Sequence, residues 1–411
     1  MQYRLGLTHT GDVSNRAGTM AETTTYQRQN PYVGLPTRMF LTTEGLRLFA
    51  AKPDQLKKLK NRMGIVKEAI ESDRYNALLV QKLVLNSCVE EVYVRLPNLL
   101  QYRQDIISTN NLILYAILYK KLSPSLANML CQSPVVQAYN RKNPKYAIVG
   151  LNMISRQKID AIRMEKPQLF EAMEREIITE VTERIKRQPI SDEDKQIRIR
   201  SLDKFVAWID KRIWYIYLII YQTQLRRELV RSFTDMLVTY LGRTQIATHL
   251  SSLLMEFVQN AEKAHFERIV IRKRFATEKM ADAFIRDRKN REAIIAEAVR
   301  SDQMLEVAWN VNPETISVGQ QYRIGITISN YGIISEDTRL KLAKKMNADV
   351  DGISLDSFYT EKGEDRLGAG LGLLYNSYLE EICHKEGLMY RCNIFPEPEK
   401  EKTTVRLDIT L

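Results

Sequence analysis

The run Gly368-Ala369-Gly370-Leu371-Gly372-Leu373 leads directly into an amphipathic helical pattern. Alternating glycines leave backbone amides uncovered where that pattern starts, and the positive end of a helix dipole adds to them, which makes a ready site for phosphate. About 110 residues upstream stands Glu256-Phe257-Val258-Gln259-Asn260-Ala261-Glu262-Lys263-Ala264. Glu256 and Asn260 are four apart, so on a helix they share one face. A carboxylate beside a carboxamide suits water activation and Mg²⁺ ligation, since Mg²⁺ takes a few oxygen ligands together with substrate phosphates. Each element alone also has a plain reading, as a loop or as solvated helix surface, and their order is what gives them weight.

In that order they resemble the ATP-binding domain shared by histidine kinases, DNA gyrase B subunits, gyrase-like heat-shock chaperones and mismatch-repair ATPases. Leu253-Leu254-Met255-Glu256-Phe257-Val258-Gln259-Asn260-Ala261 is similar to that family's N box, and Gly368 to Leu373 to its second glycine box. Ser357-Phe358-Tyr359-Thr360-Glu361-Lys362 resembles the stretch that often precedes this box in histidine kinases. Thr403-Thr404-Val405-Arg406-Leu407-Asp408-Ile409-Thr410-Leu411 is similar to the closing strand, whose second threonine often lies near the adenine. The resemblance covers about residues 245–411. It implies Asn260 as Mg²⁺ ligand and Glu256 as the group that orients or deprotonates the attacking species. It further implies that Gly368, Ala369, Gly370, Leu371 and Gly372 cradle phosphate, that Asn330, Gly332 and Thr404 receive the adenine, and that Lys263 and Lys362 are candidate phosphate partners.

The first glycine box departs from the family. Where Asp-x-Gly-x-Gly is usual, the chain has Asn330-Tyr331-Gly332-Ile333-Ile334. A neutral carboxamide still accepts a bond from the adenine amino group, but without charge assistance that bond is weaker by about 1 kcal/mol. Ile334 removes a freely adaptable backbone position. Relaxed base selectivity, weak binding and an ATPase-derived pseudoenzyme all stay open.

Length and composition bound the rest. With 411 residues, 44% of them hydrophobic, the chain can build two or three cores. Cys88, Cys131, Cys383 and Cys392 have neither metal-ligand spacing nor the density of a disulfide scaffold, so reduced thiols in the cytoplasm are expected. Residues 1–36 read as a flexible arm without a secretory core. The longest apolar run, Ile213 to Tyr221, is too short to span a bilayer and reads as a buried helix. The net charge of +11 raises nucleic acid as a partner, but acids interleave with the bases along most of the chain, which disfavours it. The densest basic cluster, Lys52, Lys57, Lys58, Lys60 and Arg62, carries no nucleic-acid motif.

From about residue 37 to 240 the pattern reads as helical almost throughout, with Leu85, Val89, Val92 and Leu96 on one stripe and Leu229, Phe233, Met236, Leu237 and Tyr240 on another. Breaks are expected at Pro97, Pro124, Pro134, Pro144, Pro167 and Pro189, with Ser191 or Asp192 as a cap after the last. A long helix from about Asp203 to Tyr240 is expected to feed the C-terminal domain. His9, His249, His265 and His384 read as ordinary, partly exposed histidines, so self-phosphorylation on histidine is disfavoured. Arg268 to Ile271 starts a strand in this reading, Tyr322 to Ser329 forms a central strand, residues 275–300 form an inserted charged helix, and residues 336–367 sit where the family keeps its ATP lid.

The expectation is an α+β chain: a flexible arm (1–36), a helical bundle (37–188), a connecting helix (189–244) and an α/β-sandwich ATP domain (245–411) whose mostly antiparallel sheet is covered by helices. Its expected ligands are ATP and Mg²⁺, and its function a signalling ATPase, or a kinase acting on a partner in the manner of anti-sigma-factor kinases. A protein partner would dock on the helical region, and a homodimer stays open. The alternatives are a catalytically weak nucleotide-sensing scaffold and a nucleic-acid-linked ATPase.

Overall fold

The computed structural model describes residues 35–73, 75–96, 103–311, 322–334, 336, 339–340 and 371–411. The chain opens with β1 (Thr37–Leu41), α1 (Thr43–Phe49), β2 (Leu56–Lys60), β3 (Val66–Ser72), α2 (Ala77–Leu85) and β4 (Val89–Leu96). Nine helices and a few short turns follow: α3 (Gln104–Cys131), α4 (Pro134–Lys142), α5 (Arg156–Glu165), α6 (Pro167–Lys186), α7 (Asp192–Trp208), α8 (Lys211–Tyr221), α9 (Arg226–Gly242), α10 (Thr244–Arg272) and α11 (Ala281–Arg286). Then come α12 (Arg288–Arg300), β5 (Leu305–Val311), β6 (Arg323–Tyr331), α13 (Leu371–Lys385), β7 (Met389–Glu397) and β8 (Lys402–Thr410).

The fold is α+β, a mostly helical N-terminal region followed by C-terminal strands that complete a helix-covered sheet. That sheet is larger than expected: its order is β2-β3-β1-β4-β5-β6-β8-β7, and every described pairing is antiparallel. The expectation of helix from residue 37 is therefore corrected. Val89, Val92 and Leu96 belong to a strand whose inward positions Val92, Val94 and Leu96 alternate, and the alternation is satisfied by pairing with β5 from Leu96↔Leu305 to Glu91↔Asn310. One face of the sheet is apolar. Along β6, Ile324, Ile326 and Ile328 are buried against helices, while Arg323, Thr327 and Ser329 point to the other side.

Two long helices, α3 and α10, line the apolar face. Trp309 of β5 is fully buried and donates its indole N–H to Asn110 Oδ1 of α3 at 2.5 Å. Ser251 of α10 donates to Asn111 Oδ1 at 2.9 Å, which ties α10 to α3. The expected long helix from Asp203 to Tyr240 is instead α7, α8 and α9. Ile209 and Asp210 are extended, and Asp210 caps α8 by accepting from the Arg212 backbone, so the chain turns back and α8 buries Ile213, Trp214, Ile216 and Tyr217. The stripe on α9 holds, with Leu229, Phe233 and Leu237 buried. Ser191 caps α7 as expected, accepting from Asp194 N, a contact worth about 1 kcal/mol.

Pro134 and Pro167 open helices as expected. Pro124 does not break its helix: α3 runs through it, held by Leu122, Leu126 and Leu130 in the core. Pro97 lies outside the described residues, as do residues 1–34 of the expected arm. The expected strand at Arg268 to Ile271 is the last turn of α10. Phe266, Ile269 and Val270 pack there with Ile294, Ile295 and Ala298 of α12, forming a separate small core under the inserted helices of residues 275–300.

Candidate functional site

α10 carries the first part of the site. Its inner face buries Phe257, Val258, Ala261, Glu262 and His265, which leaves Glu256 half-buried and Asn260 exposed on the adjoining polar face. Burial holds the Glu256 carboxyl above its ordinary value. The Asn260 side chain has no hydrogen-bond partner among the described residues. Lys263 is turned toward the inserted helices, where its exposed side chain pairs with Asp282 of α11 at 3.1 Å.

α13 lies antiparallel beside α10. The His249 ring meets the Tyr378 ring edge-on at 5.1 Å, and a side chain at Gly242, the last residue of α9 and just before α10, would come within 3.2 Å of Glu386, just past the end of α13. Both helices rise about 1.5 Å per residue. Seven residues on from His249 is Glu256, and seven residues back from Tyr378 is Leu371, so the first residue of α13 comes level with Glu256. Leu371 and Gly372 form the first turn of that helix, while Gly368, Ala369, Gly370, Lys362 and most of residues 336–367 lie outside the described residues.

β6 brings the third part. Asn330 is at its C-terminal end, 8% exposed and on the helix-facing side with Ile324, Ile326 and Ile328. Its Nδ2 donates to the Tyr331 carbonyl at a long 3.4 Å, and no described residue binds its Oδ1. Gly332 follows with φ +124°, a backbone conformation that L side chains rarely adopt. The turn is held on both sides: Gly332 N donates to the Glu401 carbonyl at 2.8 Å, and Arg268 near the end of α10 pairs with the Glu401 carboxylate at 2.7 Å. His265 is 1% exposed, not partly exposed as expected, and its Nε2 bonds the Gln303 carbonyl at 2.8 Å. Burial lowers its pKa, which favours the neutral ring.

Thr404 is not with these residues. In the β6–β8 register Asn330 faces Thr403, and Ser329 faces Thr404. Because side chains alternate, a one-residue difference exchanges the faces. Thr403 Oγ1 donates to the Gly332 carbonyl at 2.6 Å and accepts from Ile334 N at 2.9 Å, so it shapes the Asn330 turn. Thr404 is buried on the opposite side, bonded to Ser329 Oγ at 2.9 Å and donating to Glu397 at 2.5 Å. Parity along Thr403, Val405, Leu407 and Ile409 was the signal for this. His265, Arg268 and Glu262 carried no such signal.

The other side of the sheet holds a pocket of about 210 Å³ lined by Lys60, Arg62, Tyr93, Ser329, Lys400 and Lys402 among others. No helix among the described residues is long and apolar enough to cross a membrane.

A curated protein of Treponema pallidum (strain Nichols), described as uncharacterized, is 24% identical over 389 residues, covering 91% of this chain and 97% of its own length. No solved structure matches the chain. A family model matches residues 28–411, nearly the whole sequence, and the chain belongs to that family, a family of unknown function (DUF8084).

Proposed function

We propose that the protein binds Mg-ATP between α10, the C-terminal end of β6 and the N-terminus of α13, and that nucleotide binding or turnover switches a docking surface on the helical region. The observation that carries this reading is the antiparallel register of α10 and α13. It brings the start of the helix that follows the glycine run level with Glu256, one turn from Asn260, while Asn330 emerges from β6 beside the same helix. Asn260 fits a Mg²⁺ site of the kind that needs one protein oxygen, since its carboxamide is exposed and has no hydrogen-bond partner among the described residues. Mg²⁺ would supply charge neutralisation at the phosphates. Asn330 fits the base, since the residue is 8% exposed at a turn and its carbonyl oxygen has no hydrogen-bond partner among the described residues.

A protein partner is supported by exposed apolar side chains gathered between α4 and the end of α5: Tyr146, Val149, Met153 and Met164 are each more than 70% exposed. Four free cysteines fit a reducing, cytoplasmic setting. A second reading, a nucleotide sensor without turnover, is favoured by Asn330 and Ile334 in place of the family's aspartate and glycine.

The test is calorimetry of the full chain with ATP, with and without Mg²⁺, beside Asn260→Ala. The expected result is Mg-dependent binding that the variant loses while its thermal unfolding is unchanged, because the replaced side chain is exposed. Equal affinity in both proteins would overturn the site. Radiolabelled ATP then separates hydrolysis, label transfer to the chain and silent binding.

A further inference from the structure

Arg62, in the turn between β2 and β3, comes within 3.5 Å of Ser329 on β6. β2 and β6 are five strand spacings apart in the sheet. In a flat sheet that is about 24 Å, far beyond the reach of one arginine. The sheet and its edge hairpin must therefore coil over the polar face, which becomes the wall of the pocket of about 210 Å³.

The charges around that pocket do not balance. Lys402 pairs with Glu306 at 2.8 Å and Lys400 with Glu397 at 2.6 Å, which uses both lining carboxylates. Arg38 is held by Glu71 at 3.0 Å. Lys60 and Arg62 form no ion pair among the described residues, although both line the pocket. Glu397 and Glu91 both act electrostatically on Arg62, but Glu397 is shared with Lys400 and Thr404, and Glu91 is 4% exposed with one carboxylate oxygen unpartnered and its pKa pushed up by burial, so it is a poor counter-ion. Ser329 and Thr404 line up hydroxyls behind Arg62, and Thr404 is fixed in turn by Glu397.

We infer that this pocket is a binding site for a phosphate group, free or carried as a monoester on a small molecule, on the side of the sheet opposite the proposed nucleotide cleft. The guanidinium of Arg62 supplies paired donors that match phosphate oxygens, the Lys60 ammonium a second positive charge, and Ser329 a hydroxyl. Its size suits this ligand: a volume below the range of drug-sized sites takes a phosphate with a short appendage. The inference does not depend on ATP binding elsewhere.

Calorimetry at constant ionic strength with inorganic phosphate and with glycerol 3-phosphate tests it, using the full chain, Arg62→Ala, Lys60→Ala and Asn260→Ala. Wild type is expected to bind at least one of the two anions, with affinity about tenfold weaker in Arg62→Ala, weaker by a smaller factor in Lys60→Ala, and unchanged in Asn260→Ala. Tighter binding of the ester identifies a carried phosphate, and equal or tighter binding of inorganic phosphate identifies the free ion. Lys60 is exposed and unpaired, so its variant keeps the fold even if Arg62→Ala does not. Phosphate affinity untouched by either basic substitution, or lost in Asn260→Ala, would overturn the site. So would an anion affinity seen only with a single-stranded oligonucleotide, which would make the face a nucleic-acid surface.

Discussion

Glu262, only 2% exposed on the inner face of α10, accepts a 2.6 Å ion pair from Arg291 of α12 through one oxygen, while its other oxygen is buried without a partner. Burial outweighs Arg291 and pushes the carboxyl from 4.5 up to about 7. The native state therefore holds this proton more tightly than the unfolded chain does. The associated stability is fully present below about pH 4.5 and is lost as pH rises through about 7, at most about 3 kcal/mol. Urea unfolding across this window is expected to show a falling limb in wild type that flattens in Glu262→Gln. Parallel pH curves for the two proteins would mean that Arg291 controls the group instead.

Glu256 is expected to be the base if ATP is turned over. Glu256→Gln keeps the shape and removes the proton acceptor, so binding should persist while turnover falls by roughly 10². Its carboxyl is held above the ordinary value by burial, so wild-type turnover should fall on acidification at a pH above 4.5. Initial rates against pH decide both points.

Asn330→Asp restores a carboxylate at the end of β6. A carboxylate can only accept, and the adenine amino group can only donate, so ATP should bind several-fold tighter. GTP should bind wild type measurably and the variant less, because a carboxamide can turn to donate to the guanine carbonyl and a carboxylate cannot. Competition of both nucleotides for one fluorescent analogue measures the ratio. An unchanged ratio would mean that Asn330 does not face the base.

Thr403→Val and Thr404→Val should separate the two faces of β8. The first strips partners from the Gly332 carbonyl and Ile334 N. It is expected to cost about 1 to 3 kcal/mol in denaturant unfolding and to weaken nucleotide binding. The second should leave nucleotide affinity alone and disturb the Ser329–Glu397 network on the far side. Titration of ATP into both variants tests the assignment.

Elements governed by one clear period could be read from the sequence. The α9 stripe, the β6 alternation, the helix-opening Pro134 and Pro167 and the Ser191 cap all appear where local chemistry put them. The N-terminal strands were hidden because Val89, Val92 and Leu96 fit a helical stripe as well as a strand, and what decides between them is β5, remote in sequence. Ile269, Val270 and Ile271 favour strand by propensity, yet stay helical because burial of Ile269 and Val270 against α12 outweighs it. In the proposed site, the i,i+4 spacing puts Glu256 and Asn260 on one helix face, while Asn330 was suggested only by the resemblance to the ATP-domain family. Thr404 falls on the face opposite Asn330 because strand parity, which family position does not encode, sets the side.

The β4–β5 seam joins Leu96 to Leu305, positions separated by 209 residues, and it runs through the middle of the sheet. A chain emerging from the ribosome can thus form the intervening helices first, but β4 must wait, edge exposed, for a partner made some 209 residues later. Closing so large a loop is slow, and an unpaired strand edge invites pairing with other chains in the meantime. Both faces of the sheet are thereby completed in a single event that waits for β5, and a chain halted before β5 would carry neither face whole.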